Sequence, residues 1–544
     1  MKVGAFTIKD AETLFEQRNY EKARLAFESF AHHGNAKAQY YLGMMYYQGK
    51  GGIADIYKAY AWFSLAEKNG FRAAEEEIRR MRREIPSKRK AKSVAESLAA
   101  EYSANALSRR IYPQYNGSFG LKNKILLSEA EILPANQSGW VLLIGDVSER
   151  GNLINLRVKE SFPNKQLEKR AFDYANSLKF EPLVVDNEVL VRDQVLVKVE
   201  FQTNNRDEHS IYLAQYSTYQ RALISKAQNG NAEAQLLLAQ LMSVGLLKYP
   251  SNALNAVPVY WYLQAAINGS AFAKFELYRH LKEGIGCLPE AKKADYWLQR
   301  SAEQGHLSAV FMQLRSRYQQ NPSKNQLRRI VNTLESLVEQ GHKNAHQLLA
   351  LIYATSPYDD FYYPFKAGLM AKDGLYDDAN HPDYYAILAA SYLGQTSLDR
   401  AYEYFYQAID YALKRDWPVI NYVQLASQLE VSLDTTGLNL SEEAQKFSLP
   451  STLARKNLKP ISRPSPEYPV EAARRAVEGW VRLNFSVNEK GEVENITVVK
   501  SSPENVFEDN AIQAVQKWRY EPPKINASPT RVDNVSIKLD FKLQ

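Results

Sequence analysis

Six glycines set the terms on which this chain can fold: Gly34, Gly70, Gly230, Gly269, Gly305 and Gly341. Within each block they recur every 36 to 39 residues, the period of a two-helix solenoid unit. Four positions after each glycine stands an alanine, at Ala38, Ala74, Ala234, Ala273, Ala309 and Ala345. Small side chains in one column let the two helices of a hairpin approach closely. One turn further along that face come Leu42, Ile78, Leu238, Leu277 and Leu349, with Leu314 standing one place late in the Gly305 unit. Eight positions before the glycine, Trp62, Trp261 and Trp297 recur. The glycine suits the left-handed backbone position that ends a helix. Plainer helix pairs flank these units, around Ala23, Phe27 and Phe30 and around Ala401, Phe405 and Ala408.

Length and composition narrow the class further. A chain of 544 residues is too long for one core. Apolar residues at 45% and charged residues at 24% describe an ordinary globular protein. The net charge of +7 is mild and lacks the concentrated basic face that nucleic-acid binding needs. One cysteine, Cys287, forms no intramolecular disulfide. No apolar run is long enough to span a bilayer, and the N-terminal stretch "MKVGAFTIKDAETLFEQRNY" lacks the apolar core of a secretory signal.

The helical pattern gives way near the end of the chain. In "GWVRLNFSVNEKGEVENITVV", Val481, Leu483, Phe485 and Val487 alternate with Arg482, Asn484 and Ser486, the signature of a strand with one buried face. "NEKG" at Asn488 to Gly491 supplies a hairpin turn, and Ile496 and Val498 are expected to face inward on the return strand. Phe507, Ala511, Val515 and Trp518 then share one stripe of a helix suited to cover that face. A last strand places Val535, Ile537, Leu539 and Phe541 inward. The product is a small ββαβ domain. Sliding the chain by 340 residues overlays Gly139 to Phe201 on Gly479 to Phe541 without a gap, matching Gly-Trp-Val, Gly151, Ser161, Pro163, Glu168 and Glu181-Pro182. The fold class expected is therefore multidomain α and α+β, with helical-hairpin solenoid segments alternating with two small ββαβ domains.

The glycine, alanine and tryptophan columns resemble the SLR family, the Sel-type relatives of tetratricopeptide repeats. Solenoids of that kind offer surfaces to protein partners and rarely carry chemistry. The C-terminal element resembles the C-terminal domain of the TonB energy transducers through "PEYPVEAARR" (Pro466 to Arg475), "EGWV" (Glu478 to Val481), "VKSSP" (Val499 to Pro503) and "WRYEP" (Trp518 to Pro522). The first copy departs where that signature is sharpest: it has no Tyr-Pro ahead of its first strand, and Leu178 to Phe180 replace Trp-Arg-Tyr. It reads as a degenerate sister of the second.

The resemblance implies a non-enzymatic, TonB-like periplasmic protein of a Gram-negative bacterium, acting in TonB-dependent transmembrane transport. Its domain would bind segments of TonB-dependent receptors, or of other envelope proteins, as a strand added to its own sheet edge. The edge expected is the last strand, roughly Arg531 to Leu543, with Asn534, Ser536, Lys538 and Asp540 read by the partner and Tyr468 and Pro469 as signature residues. Trp480 either packs on the Tyr468 segment or is exposed for a partner. A plain edge strand guarded by Lys538 and Lys542 is the bland alternative. A transducer also needs an anchor and a long proline-rich spacer, and this stretch of chain has only the short cluster Pro460, Pro464, Pro466 and Pro469. Either an anchor lies upstream of this start or the protein binds without energising. The rival reading is an envelope scaffold in which the solenoids assemble partners and the sheet domains dock or dimerise, which allows a homodimer.

The expected domains are 1–110 (helical repeats with a basic linker), 111–204 (degenerate ββαβ domain), 205–415 (helical repeats), 416–458 (helical, with a loop near Thr435 to Gly437) and 459–544 (C-terminal ββαβ domain). No catalytic residue, cofactor, metal or nucleic-acid partner is assigned. The basic run Arg79 to Lys92 reads as a solvated helix end with a linker. His342 and His346 have metal-ligand spacing, but His306 repeats the His342 column, which favours a structural role on the repeat surface. Asp359-Asp360 and Asp377-Asp378 lack a framing motif for catalysis. Cys287 reads as a buried or idle thiol.

Overall fold

The structure is a computed structural model that describes residues 7–115, 131–429, 431, 433 and 460–542, apart from 187, 248, 250–253, 396, 476, 523, 526–527 and 530. The expected loop near Thr435 to Gly437 lies outside the described residues. Two compact units emerge, Met1–Leu183 with Leu190–Gln313, and Val184–Val189 with Leu314–Gln544.

Helical hairpins follow the glycine columns in both units. All six glycines adopt positive φ, from +80° to +107°. At each one the chain closes a left-handed turn in which the following amide donates back to the helix, as in Asn35 to Phe30 O (3.1 Å) and His342 to Leu337 O (3.0 Å). The residue after the glycine then caps the next helix. Asn35, Asn231 and Ser270 accept from the amides of Ala38, Ala234 and Ala273 at 2.8, 2.8 and 3.1 Å. His306 and His342 do the same through Nδ1 for Ala309 (3.4 Å) and Ala345 (3.2 Å). The repeating alanine is thus both the small contact and the amide that the cap satisfies, an interaction worth about 1 kcal/mol. After Gly70 comes Phe71, whose ring lies 4.9 Å from Tyr40 instead.

The first unit contains a four-stranded sheet in the order β1-β6-β2-β3. Its strands are β1 (Ile132–Pro134), β2 (Gly139–Val147), β3 (Leu153–Phe162) and β6 (Arg192–Gln202). Between β3 and β6 run the helix Glu168–Ser177 and a separate hairpin, β4 (Leu183–Val185) and β5 (Glu188–Leu190). Val141, Leu143, Val195, Val197 and Phe201 form a core with Ala171 and Ala175 of that helix. The opposite face is covered as well. Trp140 and Leu142 share the larger core of Leu238, Trp261 and Trp297, and Trp140 meets Phe162, Tyr216 and Tyr219 edge-on or stacked within 6.3 Å.

In the second unit, paired helices run from Lys324–Glu339 to Ile420–Gln428. Buried Arg315 holds Asp186 and Glu188 at 2.8 Å each, and Val189 packs with Ala386, Phe405 and Trp417. The C-terminal part has a three-stranded sheet in the order β13-β8-β9, built from β8 (Gly479–Val487), β9 (Val493–Ser502) and β13 (Val532–Phe541). Two short ribbons flank it: β7 (Pro460–Ser462) with β10 (Arg519–Tyr520), and β11 (Lys524–Ile525) with β12 (Ser528–Pro529). Val481, Leu483, Phe485 and Val487 are buried with Ala511 and Val515 of the covering helix Glu508–Gln516, with Phe507 at its N-cap and Trp518 just past its end. Val498 departs from its expected inward place and is 40% exposed. The ladder shifts register between Arg482 and Leu483 and between Asn484 and Ser486, and Asn495 takes positive φ. Ile496 packs against the core, whereas Val498, opposite buried Leu483 on the outer strand β9, does not.

The two sheets share one register. Trp140 faces Phe162 and Glu200, and Trp480, 340 residues on, faces Ser502 and Asp540. Gly151 and Gly491 both have positive φ. Each accepts a hydrogen bond at its carbonyl, from Phe180 (2.9 Å) and Tyr520 (2.8 Å) respectively. A Cβ on Gly491 would collide with the Tyr520 carbonyl, whereas one on Gly305 would meet nothing within 4 Å. Gly305→Ala is therefore expected to cost about 1 kcal/mol from backbone conformation alone. Gly491→Ala adds the clash and is expected to cost about 2–4 kcal/mol. Chemical denaturation read at each unit's own amides by hydrogen exchange checks the order, and equal effects would refute the role given to the Tyr520 contact.

Candidate functional site

The exposed edge of the C-terminal sheet begins with the residues that hold β13 in place. Phe541 stacks on Phe507 at 4.5 Å, and Tyr468 meets both rings edge-on at 5.9 and 5.7 Å. Val535, Ile537 and Leu539 rest against the same core. β13 therefore packs on the core face through Val535, Ile537, Leu539 and Phe541, and it pairs with β8 from Val532 to Phe541. On its other side no strand pairs with it among the described residues.

The first sheet reveals which main-chain groups point off that edge. The amide of Ala135, just past β1, donates to the carbonyl of Gln202 at 2.9 Å. In an antiparallel strand the N–H and C=O of one residue point to the same side, and the side alternates. Gln202, Glu200 and Lys198 thus turn their main chain away from β2. Because the registers coincide at the 340-residue offset, Asp540, Lys538 and Ser536 turn theirs away from β8. These three, with Asn534, are the residues the sequence nominates.

The other nominated residues divide. Tyr468 belongs to the core face, where its hydroxyl donates to the Val477 carbonyl at 2.7 Å and ties the Tyr-Pro segment to the start of β8. Pro469 stands as the N-cap of the short helix Val470–Arg474, with extended backbone. Trp480 lies on the central strand opposite Asp540, half-buried, on the face away from Tyr468's ring contacts.

Sequence reasoning missed the part played by Arg463. Its guanidinium lies over Trp518 (5.1 Å) and Tyr520 (4.9 Å), and its Nε donates to the Tyr520 hydroxyl at 3.1 Å. Trp518 Nε1 donates to the Pro464 carbonyl at 3.0 Å. The Trp-Arg-Tyr signature thereby fastens the proline-rich lead-in to the domain, through ring faces and one indole N–H. A cation next to a proline cluster, with an aromatic pair downstream, was the available signal. Glu508 is a second such residue. Burial acts to raise its pKa, but hydrogen bonds from Ser501, Asn505 and Phe507 outweigh that and hold it below the usual carboxylate range.

The first sheet presents the same edge in a different state. β1 lies parallel along β6, pairing Ile132, Leu133 and Pro134 with Glu200, Phe201 and Gln202. Trp140, the counterpart of Trp480, is only 1% exposed.

The remaining candidates resolve into structural roles. His306 and His342 are helix caps, and His346 contacts the Tyr384 hydroxyl at 3.2 Å. Asp360 pairs with Lys324 and Arg328, Asp377 with Lys343, and Asp378 with Arg415. Cys287 is fully buried, and burial pushes its thiol up to about 11. Among the described residues no group of His, Cys, Asp and Glu could hold a metal, and no helix is long and apolar enough to cross a membrane. Tyr468→Phe removes one hydrogen bond and leaves its ring contacts, so it is expected to destabilise the C-terminal sheet by about 1 kcal/mol. Amide exchange in β8 measures this, and an unchanged β8 would show that Tyr468 does not anchor the lead-in.

Comparison with known proteins assigns both kinds of element. Residues 464–543 match the family described as Gram-negative bacterial TonB protein C-terminal, and residues 36–71, 232–270 and 279–306 match the Sel1 repeat. The chain is similar to protein TonB of Klebsiella aerogenes, 42% identical over 82 residues, which are 15% of this chain and 33% of the relative. It is also similar to protein TonB of Yersinia enterocolitica, 34% identical over 80 residues, covering 15% and 31%. The chain thus spans about a third of the length of the curated relatives it matches. A protective antigen of uropathogenic Escherichia coli displaying an SLR fold aligns over 82% of this chain and 84% of its own, at 15% identity and a TM-score of 0.28. This chain carries a TonB-type C-terminal domain at residues 464–543 and Sel1 repeats among its helical hairpins.

Proposed function

We propose that the C-terminal domain binds an extended segment of a partner protein as a strand added to the outer edge of β13. The partner class is the receptor or another protein of the Gram-negative envelope, and the setting is TonB-dependent transport, with the periplasm as the compartment. Affinity comes from main-chain hydrogen bonds to Ser536, Lys538 and Asp540, and selection from side chains beside them, with Asn534 and Trp480 as the nearest nominated. One observation carries the reading. The edge of β13 takes no strand among the described residues, while the register-equivalent edge of β6 takes one. The TonB-type match supplies the partner class. The shared register and the paired glycines at Gly151 and Gly491 support reading residues 139–202 as a degenerate sister of this domain.

The helical hairpins have a separate role as a protein-interaction scaffold. This second reading is favoured by Phe365, Leu369 and Tyr376, which are 67%, 53% and 93% exposed at helical spacing on Pro364–Asp377. In it, the sheet domains dock or pair copies of the chain.

Labelled peptides from amino-terminal segments of outer-membrane receptors, titrated into the full chain, separate the two. Strand addition predicts Kd values of roughly micromolar order, lost when alternate peptide amides are N-methylated. Ser536→Pro and Lys538→Pro each remove an outward N–H and are expected to weaken binding by about tenfold or more, with circular dichroism unchanged. Binding indifferent to N-methylation and to both prolines would overturn strand addition and move the contact to the helices.

A further inference from the structure

The strand on the first sheet's edge is held by an arrangement that the C-terminal domain lacks. Two residues one turn apart on the helix Glu168–Ser177 reach over the edge and grip β1 by its main chain. Arg170 Nη2 donates to the Pro134 carbonyl at 2.9 Å, and the Tyr174 hydroxyl accepts from the Glu131 amide at 2.9 Å. The Arg170 guanidinium lies 5.3 Å over the ring of Phe201, which fixes its reach. With the Ala135 amide on Gln202, three main-chain groups of a five-residue segment are satisfied without reading its side chains. Side-chain selection comes from Leu133 and Ala135, which touch the core of Val199 and Phe201. Ile132, just before Leu133, is 57% exposed. At the 340-residue offset, Arg170 and Tyr174 become Asn510 and Ala514, which offer neither the guanidinium nor the phenol.

This is the composition of a peptide-accepting site: a parallel edge, a two-residue main-chain clamp and one apolar socket. Its occupant is short, exposed along one side and paired over only three positions. A strand so brief gains little from its own ladder and depends on the clamp and the socket for its place. We propose that the outer edge of β6 is a strand-accepting site in its own right, filled in this chain by Glu131–Ala135 and exchangeable for an extended peptide with an apolar side chain at the Leu133 position. The C-terminal edge and this one then differ in state: among the described residues no strand pairs with the first, whereas the second carries its own plug. The inference rests on the first sheet alone, so its outcome is independent of what the C-terminal domain binds.

The test uses the full chain with Leu133→Asn, and a labelled synthetic peptide with the sequence of residues 131–137. Exchange at the Ala135 amide is expected to rise at least about tenfold while Val141 and Val199 keep their protection. The peptide is expected to bind at least about tenfold more tightly than to the unaltered chain, and to lose that gain when Arg170→Ala is added. If Val141 also loses protection, Leu133→Ala is the milder second variant, read in the same way. Continued protection of Ala135 would mark β1 as a permanent fourth strand and overturn the proposal. So would an exposed Ala135 without peptide uptake, or uptake indifferent to Arg170→Ala.

Discussion

Main-chain N–H and C=O groups must find partners wherever helices end and sheets stop, and the ways this protein meets that need govern the rest of its structure. At the hairpin turns, a glycine in the left-handed region lets the chain fold back so that the last carbonyls of one helix are met. The next residue meets an opening amide of the following helix. That fixes the length of the turn, which is why the alanine stands at the same distance from each glycine. The tryptophans and leucines of neighbouring units then fall on a common face.

The sheets meet the same need in two ways. In the first, both faces and one edge are satisfied from within the unit, by Tyr216 and Tyr219 over Trp140 and by β1 along β6. In the second, the helix Glu508–Gln516 covers one face, and the lead-in is pinned by Arg463, Trp518 and Tyr468. The stacked rings of Phe507 and Phe541 hold the end of β13 against that covered face.

Much of the architecture was legible because it is periodic. The alternation from Val481 to Val487, the stripe from Phe507 to Trp518 and the alanine and tryptophan columns all report burial directly, and the structure buries them. What escaped is local and aperiodic. Val498 pairs with buried Leu483 yet stands 40% exposed on the outer strand β9, which the alternation alone does not announce. His342 shared metal-ligand spacing with His346, and His306, in the same repeat column, pointed instead to a role on the repeat surface. The role of His306 and His342 as caps follows only from aligning them with Asn35, Asn231 and Ser270, since an imidazole nitrogen substitutes for an oxygen acceptor.

The sequence by itself determined the elements: helical hairpins from the spacing of glycine, alanine and tryptophan, two strand-helix-strand patterns from alternation, and their common register from the 340-residue offset. Only the tertiary structure decided what lies along each edge. A three-residue strand such as Ile132–Pro134 is too short to carry a period, and its partners Gln202, Arg170 and Tyr174 stand far away in the chain. Edge pairing is a non-local contact between main chains, so folding alone reveals that β1 fills one edge while, among the described residues, no strand pairs with the other.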